Sequence, residues 1–385
     1  MMVGAVPFLG TGYGTVMRNV GKILAQEHTV MMSCDGWWGS LAKFENYYIL
    51  PTQVNTMGGT KVPHNVQLAY HIRKYQPEAV LSIGDIFVWK GVKETIKVGL
   101  KVVPGKPIRC PWVAYFPVDG SPLPNGFRDD IKKVDHPITM SKFGQETVKK
   151  AGLSCGMIYH GVDSALYKPL PKEKMRAFFD IKSDALLVGY VGSNSERKKI
   201  PSLIEAVSHV MEDMKNPKVR FWLSCPRYDA YGWHLPEYLK QFDIRERTNF
   251  SPFIDEMSLS AEEMVALYNC FDVHASATSK EGFGLTHIES MACGIPNVAT
   301  NCSSLPEVIG DSGFLAKVAG YEWDKWGTRK ALVDVADLKN KIEVLLRDAD
   351  LRKDLGAKAR KRAEDFDWSK FAPQWLKLFK EIGSE

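Results

Sequence analysis

The chain has seven cysteines, at 34, 110, 155, 225, 270, 293 and 302, and no C-x-x-C pair among them. An odd number cannot close into a complete disulfide framework, and several lie in apolar, strand-like or helix-like text. Reduced and buried thiols are the expectation. The nine histidines contain no H-E-x-x-H or other paired ligand spacing, so no metal site is predicted. No apolar run reaches the length that spans a bilayer, and residues 1–10 lack the charged region and long apolar stretch of a secretory signal. A cytoplasmic protein with at most peripheral membrane contact is expected. Charge of one sign is also scarce in excess. Fifty basic residues against 45 acidic ones leave +5, which suits an anionic substrate but is too small to argue for nucleic acid. There is no internal repeat and no low-complexity tract.

The 385 residues exceed one ordinary core, and 45% apolar with 25% charged content is globular. Short apolar runs alternate with amphipathic stretches, the pattern of α/β domains with parallel sheets. One series of strand candidates falls at 2–8, 29–33, 79–83, 112–116, 138–140 and 157–158, with helices at 15–26, 65–75 and 142–151. A second falls at 186–191, 219–224, 248–250, 273–275 and 297–299, with helices at 200–214, 260–269, 285–293 and 335–347. The Pro- and Lys-rich text between them reads as a linker at 165–184. It separates domains at 1–164 and 185–366, each doubly wound. The tail 367–385 holds Trp368, Phe371, Trp375, Leu376 and Phe379 at helical spacing and must dock, with the first domain as the expected partner. Two such sheets place their ligand at the C-terminal strand ends, in the cleft between domains.

The richest segment is Glu281-Gly282-Phe283-Gly284-Leu285-Thr286-His287-Ile288-Glu289. A glycine-bearing turn runs into a helix, whose first N–H groups lack internal acceptors and favour an anion. The flanking carboxylates suit sugar or ribose hydroxyls, so a diphosphate with a sugar at each end fits both halves.

Other constellations leave alternatives open. Gly10-Thr11-Gly12-Tyr13-Gly14-Thr15 is either a tight strand-to-helix turn or a ligand contact, and its spacing is not G-x-G-x-x-G. Arg197 and Lys198 follow a strand in Gly192-Ser193-Asn194-Ser195-Glu196-Arg197-Lys198. They are partners for a diphosphate, or a solvated basic turn. Asp119 orients an acceptor hydroxyl or only starts a turn with Gly120. His160 contacts a ligand or is a hydrogen-bonded hinge residue. Asp348-Ala349-Asp350 reads as a helix cap rather than a metal clamp. Phe253, Ser224 and Cys225 are placed to select a base, and the text around Trp37, Trp38 and Gly58-Gly59 to meet an acceptor or to fill core.

Glu281 and Glu289, with seven residues between them, resemble the E-x7-E signature of the retaining glycosyltransferases of family 4. The text at 188–206, Ser303-Ser304-Leu305-Pro306-Glu307 and His160-Gly161-Val162-Asp163 resembles that family too. The resemblance implies the GT-B fold, two Rossmann-like domains facing a cleft. It implies transfer of a hexose-type sugar from a nucleotide diphosphate to an acceptor hydroxyl, without metal or cofactor. By matching position, Glu281 touches the donor sugar and backbone groups of Phe283, Gly284 and Leu285 hold sugar and diphosphate. Glu289 binds the ribose, Lys198 the diphosphate, and Gly12 and Gly14 lie close by. Ser193 replaces the family's usual Arg, which Arg197 is placed to supply, and Val118 precedes Asp119 where many members carry His. The acceptor, whether glycan, lipid-linked or a small molecule, stays open. Two competing readings are an epimerase or hydrolase of the same fold and a non-catalytic nucleotide-sugar-binding subunit.

Overall fold

The computed structural model describes residues 1–34, 36–37, 39–51, 64–100, 109–252 and 259–384. The chain divides into two units, one of Met1–Val118, Pro122–His160 and Trp368–Glu385, the other of Asp119–Ser121 and Gly161–Asp367.

In the first unit the strands are β1 (Met2–Gly4), β2 (Met31–Cys34), β3 (Ala42–Phe44), β4 (Tyr47–Leu50), β5 (Val80–Ile83), β6 (Trp112–Phe116), β7 (His136–Thr139) and β8 (Gly156–Met157). They form one sheet in the order β3-β4-β2-β1-β5-β6-β7-β8. Among the described residues only the β3–β4 pair of this sheet is antiparallel. That hairpin is absent from the sequence reading because Glu45, in left-handed backbone at its turn, carries no glycine signal. Helix Trp368–Ser384 belongs to this unit, and Trp375, fully buried, meets the Tyr115 ring edge-on at 4.8 Å. Trp368, Phe371 and Trp375 are therefore core, which explains why so apolar a tail is tolerated.

The second unit holds β9 (Leu186–Val191), β10 (Val219–Ser224), β11 (Thr248–Phe250), β12 (Val273–Ser276), β13 (Asn297–Thr300) and β14 (Phe314–Ala316). All pairs are parallel, in the order β11-β10-β9-β12-β13-β14. This is the doubly wound arrangement, with strand order reversing between β9 and β12. Residues such as Val188, Phe221, Leu223 and Val273 are buried with Leu203, Ile204 and Val207 of helix Ile200–Met214. Strands covered on both faces read as apolar runs, which is why β9, β10, β12 and β13 were found from sequence within a residue, whereas β14 was not named there. A separate antiparallel ribbon, β15 (Val318–Trp323) with β16 (Arg329–Val333), has no counterpart in the sequence reading.

The stretch 165–184 is more than a connector. It carries helix Lys172–Phe178, and the Arg176 guanidinium reaches buried Asp272 at 2.8 Å while Lys172 meets the same carboxylate at 2.9 Å. Asp272 also accepts the Leu187 N–H at 2.7 Å, which ties this helix to the start of β9.

Candidate functional site

In open α/β sheets the crevice outside the strand ends, where strand order reverses, is the place a ligand can reach backbone N–H groups of two diverging loops. Here those loops are 192–199 after β9 and 277–284 after β12. They are laced together. The Arg197 carbonyl accepts from the Ser279 N–H at 2.7 Å and the Ser279 hydroxyl at 2.9 Å. Asn194, fully buried, donates to the Trp233 and Pro226 carbonyls at 2.7 and 3.0 Å and so pins the loop's other side.

Arg197 and Lys198 are drawn inward by Glu281. The Arg197 Nη1 donates to Glu281 Oε2 at 3.0 Å and to the Lys280 carbonyl at 2.9 Å, and Lys198 Nζ donates to the same Oε2. Lys198 and Glu281 are each 8% exposed, so the alternative of a solvated basic turn does not describe Lys198, while the Arg197 side chain stays 33% exposed. Burial works to raise the Glu281 carboxyl, but the Arg197 and Lys198 charges outweigh it and hold it down at about 2. Burial and the neighbouring Arg197 push the Lys198 ammonium below its ordinary value against the pull of Glu281. For Arg197, burial opposes the charge, yet Glu281 and Asp119 more than compensate and raise it. Two cations share one carboxylate.

Helix Leu285–Ala292 starts in this cluster. Gly284 stands at its N-cap with φ 102°, left-handed backbone that a side chain resists, and an added Cβ would lie 3.0 Å from Leu305 Cδ2. Among the described residues no side chain caps this helix start. Ser304 fixes the approach, donating to the Glu281 and Phe283 carbonyls at 2.9 and 3.0 Å. Further along the helix, half-buried Glu289 accepts from the Tyr268 hydroxyl at 2.9 Å. Beneath it, Asn297 Oδ1 lies 2.8 Å from His287 Nδ1 and 2.7 Å from His274 Nδ1. Burial lowers His287 to about 4 and His274 well below the ordinary histidine value, so both rings are neutral near pH 7.

Asp119 sits with this cluster rather than with its strand. Its carbonyl accepts from Ser303 Oγ at 2.6 Å, and its carboxylate lies 3.4 Å from Lys280 Nζ. Lys280 also bonds Asp324 at 2.7 Å. Lys280, Asp324, Tyr268, Asn297 and the two histidines were missed from sequence. They are single residues with no spacing motif, and only the folded loops bring them together.

Gly12 and Gly14 fall in the first turn of helix Gly12–Leu24 in the first unit. The Gly14 N–H is taken by the Thr11 side chain at 3.1 Å, and a Cβ there would lie 2.5 Å from the Leu9 carbonyl oxygen. Close packing of the turn thus accounts for that glycine. His160 Nδ1 lies 2.8 Å from the Tyr115 hydroxyl, and burial lowers it to about 3. Asp348 caps helix Ala349–Glu364 through the Leu351 N–H. Trp37 packs edge-on against Phe8 at 5.4 Å. Phe253, Trp38, Gly58 and Gly59 lie outside the described residues.

Residues 171–362 match the family described as glycosyl transferases group 1. A D-inositol 3-phosphate glycosyltransferase of Paenarthrobacter aurescens is 24% identical over 58% of this chain and 51% of its own length. An N-acetyl-alpha-D-glucosaminyl L-malate synthase of Bacillus anthracis is 22% identical over 58% and 53%. The chain thus spans about half the length of the curated relatives it matches. Among solved structures, sucrose-phosphate synthase from Thermosynechococcus elongatus superposes with TM-score 0.77 over 100% of this chain and 98% of that one, at 17% identity. Anabaena HepE in complex with UDP-glucose gives 0.76 over 99% and 98%, also at 17% identity. At such identities the likeness is one of fold, and the fold is the GT-B type.

Proposed function

Because the chain belongs to the glycosyl transferases group 1, we propose that it transfers a hexose-type sugar from a nucleotide-diphosphate donor to an acceptor hydroxyl with retention at the anomeric carbon. The observation that carries this reading is the buried cluster in which Arg197 and Lys198 share the Glu281 carboxylate at the switch point. A diphosphate is a better partner for these two cations than one carboxylate, since its charge matches both. Its arrival moves Arg197 and Lys198 onto phosphate oxygens and frees Glu281 to accept from sugar hydroxyls. The N–H groups at the start of helix Leu285–Ala292 add donors, and Glu289 takes the ribose hydroxyls.

The bond from the anomeric carbon to the diphosphate breaks, and its electron pair goes to the diphosphate. The acceptor oxygen bonds that carbon on the same face, and its proton passes to the departing phosphate oxygen. Charge at the leaving group is met by Arg197, Lys198 and the helix start, groups already fixed before the reaction begins. No cofactor is required, and transfer is expected to persist in EDTA. Asp119, held beside Lys280, orients the acceptor. No observation favours the epimerase, hydrolase or binding-only readings.

The test is a panel of nucleotide sugars, UDP-glucose first because HepE was solved with it. Donor binding read as thermal stabilisation, and transfer to an acceptor with turnover lost in Lys198→Ala, support the reading. Product formed without acceptor, or native turnover in Lys198→Ala, overturns it.

A further inference from the structure

The ribbon of β15 and β16 has two unlike faces. Along β15 burial alternates, so Tyr321 and Trp323 are 55% and 65% exposed while Glu322 between them is half-buried. Across the ribbon Trp323 pairs with Arg329 and Glu322 with Lys330. The Arg329 guanidinium lies 4.5 Å from the Tyr321 ring centre and 6.0 Å from that of Trp323. At the tip, Asp324 accepts the Trp326 and Thr328 N–H groups at 2.9 and 3.0 Å, and Trp326 is 49% exposed.

The inner face is bolted to the cluster described above. Lys199 meets Glu322 at 2.6 Å, Lys330 meets Glu196 at 2.7 Å, and Lys280, directly before Glu281, meets Asp324 at 2.7 Å. The Arg329 N–H donates to the Ser121 carbonyl at 3.1 Å, two residues from Asp119. Exposed aromatics on a free ribbon would be an aggregation liability. On one anchored at four positions they form a fixed platform.

We infer that Tyr321, Trp323 and Arg329 form a stacking platform for a saccharide chain, the acceptor of the proposed transfer. The inference rests on the transferase reading for the acceptor role, though not for binding itself. Sugar rings present apolar C–H faces that stack on aromatic rings, and their edge hydroxyls accept from a guanidinium fork. Tyr321 and Trp323 stand about 7 Å apart along the strand on one face. A protein partner needs on the order of 1,200 Å² of total buried surface for a stable complex, more than one narrow ribbon offers. An anionic membrane attracts clusters of about four or more Lys and Arg, whereas the exposed face of the ribbon carries Lys325 and Arg329. Continuity with the Asp119 and Lys280 loops places the platform where an acceptor is needed.

The experiment presents the full chain to a glycan array and to phosphatidylglycerol vesicles, with thermal stabilisation by UDP-glucose and other nucleotide sugars as a separate readout. Retention on at least one glycan is expected. Trp323→Ala and Tyr321→Ala should each weaken it roughly tenfold, in line with the loss of one stacked ring. Trp323→Tyr should restore most of the binding, and stabilisation by the nucleotide sugar should be unchanged in all three. No glycan retained, equal retention by the alanine variants, or binding only to vesicles overturns the inference. Failure of every nucleotide sugar to stabilise the native chain overturns the transferase reading instead and leaves glycan retention to be judged on its own.

Discussion

Replacing Glu281 by Gln removes the one carboxylate shared by Arg197 and Lys198 while keeping its shape. The carboxyl is held at about 2 against an ordinary 4.5, a gap of about 2.5 units, or on the order of 3 kcal/mol of stability at neutral pH. Because the folded value is depressed, this contribution is complete above pH 4.5 and is lost as pH falls toward 2. Buried Lys198 and half-buried Arg197, deprived of the carboxylate they share, make a loss of this size reasonable. For a cooperative unit of roughly two hundred residues, each kcal/mol moves the melting midpoint by about 2–4 °C, so a fall of about 6–12 °C is expected. A nucleoside diphosphate can replace the missing charge. UDP should therefore stabilise Glu281→Gln by more degrees than it stabilises the native chain, although turnover is lost. Differential scanning fluorimetry at pH 7.5 with and without UDP reads both effects. A variant as stable as the native chain, or one gaining no more from UDP, would refute the account of the cluster.

Three further outcomes follow from the same geometry. Glu289→Ala should raise the donor KM several-fold with a smaller change in kcat, and Tyr268→Phe, which removes the 2.9 Å bond to Glu289, should do the same more weakly in steady-state kinetics. Gly284→Ala should cost about 1–2 kcal/mol in urea unfolding, because its φ of 102° strains any side chain, and it should weaken donor binding as well. His287, depressed to about 4 in the fold from 6.5, contributes stability that is full above pH 6.5 and is lost as pH falls through 4. His287→Phe should therefore flatten the loss of urea stability between pH 7 and pH 4.5 relative to the native chain.

Much of this was legible before any coordinates. Strands β9 and β10 coincide with the sequence reading because parallel strands buried on both faces are mostly apolar runs. Arg197, Lys198, Glu281 and Glu289 stood out because they sit at a strand end or helix start, positions that turn signals reveal. What escaped notice depends on contacts across the chain. Nothing local marks Lys280 as the partner of both Asp119 and Asp324. The β15–β16 ribbon alternates in exposure but lacks the dipeptide turn that announces a hairpin, since Asp324 builds its turn from side-chain bonds. Gly14 shows the opposite case, a conspicuous residue whose close packing against Leu9 suffices to explain it. The linker also misled, because Pro- and Lys-rich text gave no hint that Arg176 would be buried on Asp272.

The most direct test of the central claim is isothermal titration of a nucleotide-sugar panel into the native chain and into Lys198→Ala. Lys198→Ala leaves Glu281 paired with Arg197 at 3.0 Å, so the fold is expected to survive. The account predicts that at least one donor binds the native chain and binds Lys198→Ala at least about tenfold more weakly, as loss of a charge-assisted phosphate contact requires. Equal affinity for both proteins would contradict it.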